Sequence, residues 1–162
     1  MAGGDKHPAQ GNLDLGRRMA HGIADGLIES MHRTGVSGTK QWSTCWFDVI
    51  SFGWKDAFAN AILYGALKEL AAGLRRFGED GQAQTVAQWA GWLRANYRDT
   101  FYNEATGWLA GWRCRENQLH DYAFLPVNGA AIAEGLLSPD EGRAILSRLL
   151  GEAKKVGLPD AS

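Results

Sequence analysis

The sequence predicts an all-α protein built from repeated αα-hairpins, with one short extended hairpin near residues 101–115. Three observations carry this. Apolar residues recur at helical spacing through most of the chain. Amphipathic segments alternate with segments made almost wholly of small and apolar residues. The breaks between them hold Gly, Pro and cap formers rather than long strand-like alternation. The chain divides into a polar leader at 1–12, one helical domain at 13–158 and a short tail at 159–162.

The leader is rich in Gly, Pro and polar residues and offers little to bury. From Leu13 to Arg33, Leu15, Met19, Ile23, Leu27 and Met31 recur every fourth residue with Ile28 beside them. That spacing predicts an amphipathic helix, which Thr34-Gly35 ends. A polar and aromatic connection, Val36 to Phe52, follows; it carries Trp42, Cys45, Trp46, Phe47 and Asp48. The second helix is expected from about Gly53 to Phe77. Its stretch Ala57 to Leu67 is apolar nearly all round, the mark of a buried helix. Gly78-Glu79-Asp80-Gly81 breaks it. The third helix, about Gln82 to Arg98, lines Val86, Trp89, Ala90, Leu93 and Tyr97 along one side. Trp89 and Trp92 lie inside it and are expected to pack between helix layers.

Residues 99–123 lose the helical pattern. Phe101-Tyr102, Trp108-Leu109 and Trp112, with the turn formers Asn103, Thr106 and Gly107, predict the extended hairpin. The fourth helix, about Leu125 to Leu137, is again small and apolar. Ser138-Pro139-Asp140-Glu141 is a helix start: a serine cap, proline in the first turn and acids facing the helix dipole. The fifth helix, Pro139 to Val156, is amphipathic through Ile145, Leu146, Leu149 and Leu150.

Two units look alike. In each, an aromatic connection ending near an acid (Asp48, Asp121) leads into a small-residue helix carrying one Asn (Asn60, Asn128). A tight turn and an amphipathic helix follow. The simplest packing puts the small-residue helices in an inner layer and the amphipathic ones in an outer layer. The connections entering the inner helices then lie at one end, so Trp46, Asp48, Trp112, His120 and Asp121 would share a face. An Asn inside an apolar helix is costly unless its amide is bonded. Asn60 and Asn128 are therefore expected to bond the loops of adjacent hairpins.

Three stretches carry a family resemblance. One is the run Trp46-Phe47-Asp48 through Ser51-Phe52-Gly53-Trp54-Lys55-Asp56 to Asn60-Ala61 and Tyr64-Gly65-Ala66-Leu67. The second is Phe101-Tyr102-Asn103-Glu104 with Gly107-Trp108-Leu109. The third is His120-Asp121-Tyr122 through Asn128, Ala131-Ile132 and Gly135-Leu136. Over roughly residues 14–158 the chain resembles the (α/α)6 toroid, or six-hairpin, glycosidases. The resemblance implies a glycoside hydrolase-like domain whose general acid sits in a loop before an inner helix, where Asp48 lies. The family closes a ring of twelve helices and this chain supplies about five. The expectation is therefore a partial toroid, about half a ring, belonging to a longer enzyme or completed by a second copy.

Sugar sites pair flat aromatic faces, which stack on pyranose C–H faces, with carboxylates that bond hydroxyls or move protons. Trp46, Trp54, Trp108 and Trp112, with His120 and Tyr122, are the candidate sugar-binding residues. Asp48 and Asp121 are the candidate acid and base; Glu104 and Glu116 are weaker ones. The plainer alternatives are a turn residue for Asp48, the N-cap of the fourth helix for Asp121 and a loop contact for His120. A carbohydrate is thus the expected ligand. The competing expectation is a non-catalytic helical interaction or scaffold module that self-associates.

Composition excludes several classes. Seventeen basic and 18 acidic residues leave a net charge of −1, so bulk charge does not draw nucleic acid. No apolar run is long enough for a membrane span. His7, His21, His32 and His120 lack ligand spacing, so no metal is expected, and no cofactor motif occurs. Two cysteines, Cys45 and Cys114, cannot build a disulfide framework, which points to a reducing, cytoplasmic compartment. Arg113 and Arg115 read as solvated loop charge. Apolar flanks of the inner helices predict a homodimer or higher oligomer.

Overall fold

The structure, a computed structural model, describes residues 55–157. The leader, the expected helix at 13–33, the connection at 36–52 and the tail at 159–162 lie outside the described residues, as do Trp46, Asp48 and Trp54. The described chain runs β1 (Lys55–Asp56), α1 (Ala57–Arg76), α2 (Asp80–Phe101), β2 (Tyr102–Asn103), β3 (Trp108–Leu109), β4 (Trp112–Arg113), β5 (Leu119–His120), α3 (Leu125–Ala133) and α4 (Pro139–Lys155). It is mostly helical, as expected, with antiparallel strands between α2 and α3.

Helix α1 begins four residues later than the sequence pattern suggests, because Asp56 caps it. The Asp56 carboxylate accepts from the Ala59 N–H at 3.0 Å, which satisfies one of the open donors of the first turn. The preceding pair, β1, joins a sheet instead. A short turn with Gly78 at φ 78° brings α2 back along α1. Helix α2 extends to Phe101, beyond the expected Arg98. Its inward stripe is Ala83, Val86, Ala90, Leu93, Tyr97 and Phe101, all buried. Tyr97 donates its hydroxyl to the Ala57 carbonyl at 2.8 Å, tying the start of α1 to the end of α2. Burial, reinforced by the nearby Asp56 charge, pushes the Tyr97 phenol far above its ordinary value, so it stays a donor.

The small-residue helices α1 and α3 pack on each other, with α2 against α1 and α4 against α3. Close approach depends on missing side chains. A Cβ at Gly65 of α1 would collide with the Glu134 carboxylate, and one at Gly142 of α4 would sit 3.3 Å from Ile132. The core joins Leu67 and Leu74 of α1, Val127 and Ala131 of α3, Leu136 and Leu137 of the following turn, and Ile145 and Leu149 of α4.

Some expectations change. Helix α1 is not buried all round, since Ile62 is 47% exposed. Helix α3 stops at Ala133, where Gly135 at φ 77° turns the chain, so Leu136 and Leu137 enter the core from a turn. Trp92 is 48% exposed and meets Trp89 edge-on at 6.3 Å, so it does not pack between layers. Helical spacing places Trp92 beside the apolar stripe, and its two-ring side chain stays outside. At α4 the sequence reading holds in detail. The Ser138 hydroxyl accepts from the Glu141 N–H, and the Glu141 carboxylate accepts from the Ser138 N–H.

Candidate functional site

The candidate site is the aromatic and polar cluster built by β2–β5 and the entry to α3. Two antiparallel pairings form it. Strand β2 pairs with β3, setting Asn103 opposite Trp108. Strand β4 pairs with both β1 and β5, setting Trp112 opposite His120. Each hairpin closes with turn chemistry that its sequence supplies. Gly107 takes φ 80° and donates its N–H to the Asn103 carbonyl at 2.7 Å. Asn117 takes φ 65°, a conformation that Asn tolerates well.

Arg113 is not solvated loop charge. Its guanidinium donates to the Thr100 carbonyl at 2.8 Å and to the Asn117 carbonyl at 2.9 Å, so it clamps the β4–β5 turn onto the end of α2. Arg115 is exposed. Cys114 is a free, half-buried thiol in that turn. The adjacent Glu116 carboxyl is held below its usual range by its own backbone N–H and by Cys114. Glu104 pairs with Arg98 at 3.2 Å.

Asp121 is the polar centre. One carboxylate oxygen accepts from the Trp108 indole N–H at 2.7 Å and from the Ala123 N–H at 3.1 Å. The other accepts from Asn103 Nδ2 at 2.9 Å and from the Thr106 hydroxyl at 2.7 Å. Four donors on two oxygens use the carboxylate's hydrogen-bonding capacity. Asp121 is not the N-cap of α3; Phe124 holds that position, with no side-chain cap. The bond to Ala123, two residues on, is instead a local Asx turn, and it accompanies the left-handed backbone of Ala123 at φ 54°. Trp108 is correspondingly buried, 9% exposed, with its indole turned into this cage.

Beside the cage lies an aromatic platform. The Trp112 indole stacks on the His120 ring at 4.7 Å and 6°. Tyr122 and Phe124 approach the same indole at 5.8 and 6.1 Å, and each other at 5.7 Å. Trp112 and His120 are half-buried, while Tyr122 is 66% exposed. The structure therefore brings together Trp108, Trp112, His120, Asp121 and Tyr122.

No known protein family matches the chain, and no curated protein matches it significantly. The site's chemistry rests on its geometry.

Asn128 secures the cluster from beneath. Its amide oxygen accepts from the Leu109 N–H at 2.9 Å, and its amide nitrogen donates to the Leu109 and Phe124 carbonyls at 3.2 and 2.9 Å. The expected bond from a buried Asn to a neighbouring hairpin is present here. Asn60 donates to the Asp56 carbonyl at 2.7 Å, which fixes it to the start of its own helix. Sequence reasoning missed Asn103, Thr106 and Phe124 as members of the cluster. A signal existed for the first two, since a turn Asn and Thr flanking Gly107 place polar groups on one side of a tight hairpin. Among the described residues, no group of His, Cys, Asp and Glu is arranged to hold a metal ion. No helix among them is long and apolar enough to cross a membrane.

Proposed function

We propose that the chain is a glycoside hydrolase-like domain of partial (α/α) toroid form that binds a carbohydrate on the hairpin cluster. The observation that carries this is the platform of Trp112, His120, Tyr122 and Phe124 beside a fixed carboxylate. Adjacent, partly exposed aromatic faces suit the C–H faces of a sugar ring, and the exposed Tyr122 supplies a hydroxyl for its polar edge. The packing of α1 on α3, each backed by an amphipathic helix, supports the two-layer arrangement that a toroid requires. Binding is better supported than catalysis at Asp121. As general acid or base, Asp121 would have to release at least one of its four donors. As a positioning residue it holds the Trp108 hairpin against the platform. Asp48 carries the acid role in the full reading.

The test is titration of the protein with mono- and oligosaccharides followed by tryptophan fluorescence, alongside hydrolysis of a panel of aryl glycosides. Saturable quenching that weakens in Tyr122→Ala supports a sugar platform. No fluorescence change with any sugar sinks it. That result would favour the second reading, a scaffold module, for which the exposed apolar side chains Leu125, Leu150 and Val156 already speak.

A further inference from the structure

A second surface lies away from the aromatic cluster, along the seam between α1 and α2. It is an open groove of about 310 Å³. Tyr64, Lys68 and Arg75 of α1 line one wall, and Arg94 of α2 lines the other, above a floor that includes the buried Ala71 and Ala90. The lining is rich in small residues, and a Cβ at Gly91 would meet nothing within 4 Å among the described residues. Among the described residues, no side chain fills the groove at that point.

Its charge is lopsided. Arg75 and Arg94 form no ion pair with any carboxylate among the described residues, although acids and bases are nearly balanced over the whole chain. Lys68 donates to the Glu134 carbonyl at 2.6 Å and lies 3.8 Å from the Glu134 carboxylate. It also sits 4.8 Å from the centre of the Tyr64 ring. Those contacts fix its ammonium and pair it with Glu134, so the unpaired positive charge of the groove lies on Arg75 and Arg94. Tyr64 is only 6% exposed, yet its hydroxyl has no hydrogen-bond partner among the described residues.

We infer that this groove binds a small elongated polyanion of the oligophosphate class. Guanidinium groups bond phosphate oxygens in pairs, and a lysine adds a point charge. The helical rise spaces Lys68 and Arg75 by roughly 10 Å along α1, so one phosphate cannot engage all the cations, whereas linked phosphates can. The volume fits a small ligand and is far too small for a folded partner. A monocarboxylate would leave one of the two unpaired guanidinium charges uncompensated.

The test uses inorganic tripolyphosphate, with inorganic phosphate as the single-charge-site comparison. Binding is read by calorimetry and by the rise in melting temperature that a ligand of the folded state produces. The expected result is saturable binding of tripolyphosphate, weaker binding of phosphate, and a loss of about tenfold or more in the double variant Arg75→Gln/Arg94→Gln. Both side chains are exposed, so the variant keeps its fold. Arg115→Gln, in the hairpin turn, should bind like the unchanged protein. No response to millimolar tripolyphosphate would overturn the proposal. So would an equal response from the double variant, because the anion would then be acting on general surface charge. Neither result depends on sugar binding at the aromatic platform.

Discussion

The four donors that converge on Asp121 make one residue answerable to two different demands. A carboxylate kept for proton transfer needs a lone pair facing its substrate. A carboxylate kept to hold a hairpin needs every lone pair engaged, and Asp121 has the second geometry. Asp121→Asn replaces one acceptor oxygen by an NH2 group that faces existing donors. It should lower stability by about 2 kcal/mol, because a partly buried donor loses its partner. Thermal or urea unfolding measures this. An unchanged or raised stability would instead mark a residue held in place at a cost, as active-site groups often are. The Asp121 cage also shows what a sequence reading lacks. Its acid was recognisable by type and position, but Asn103, Thr106 and Trp108 reach it only through the register that sets Asn103 opposite Trp108. Two-residue strands carry no periodicity from which to read such a register.

Helices were more legible, because their evidence is local. The four-residue signature at Ser138 specifies both bonds of the α4 cap, and the apolar stripe of α2 names the buried residues Val86, Ala90, Leu93 and Tyr97. What periodicity missed were ends and edges: the Asp56 cap, the early stop of α3 and the exposure of Trp92. Two predictions belong at this scale. Gly91 lies inside α2, and no described residue comes within 4 Å of its Cβ position. Gly91→Ala should therefore stabilise the fold by about 0.5–1 kcal/mol, through lower entropy in the unfolded chain. A decrease in melting temperature would contradict that account. The second concerns pH. Bonds from the Ser138 backbone and hydroxyl, then the charge of Arg98, hold the Glu141 carboxyl below its usual value. A carboxyl lowered by folding contributes stability that is complete above its unfolded value. That contribution is lost as pH falls through the folded value. The start of α4 should thus loosen below the ordinary glutamate range, and Ser138→Ala should blunt that acid sensitivity. It should also cost about 1 kcal/mol near neutral pH. Amide exchange across 139–142 as a function of pH checks both effects.

At the scale of the molecule, the question is what covers the apolar surface that the described residues leave open. Leu125 at the start of α3 is 57% exposed, and Leu150 and Val156 toward the end of α4 are 53% and 76% exposed. They border an apolar groove of about 260 Å³ whose wall also includes Ala123, Leu149 and Ala153. Single exposed apolar residues are ordinary, but a contiguous set around a groove marks an association surface. The homodimer expected from the sequence is proposed here on that ground, with the same face of two copies meeting about a twofold axis. Such an interface is self-complementary, so one added charge appears twice and faces its own copy. Leu150→Glu should therefore raise the dissociation constant sharply while leaving the fold intact, because the position is solvent-exposed in the single chain. Light scattering across a micromolar concentration series measures it. A unchanged protein that is monomeric throughout that range rejects the dimer. A Leu150→Glu protein that associates as readily as its parent places any interface on another face.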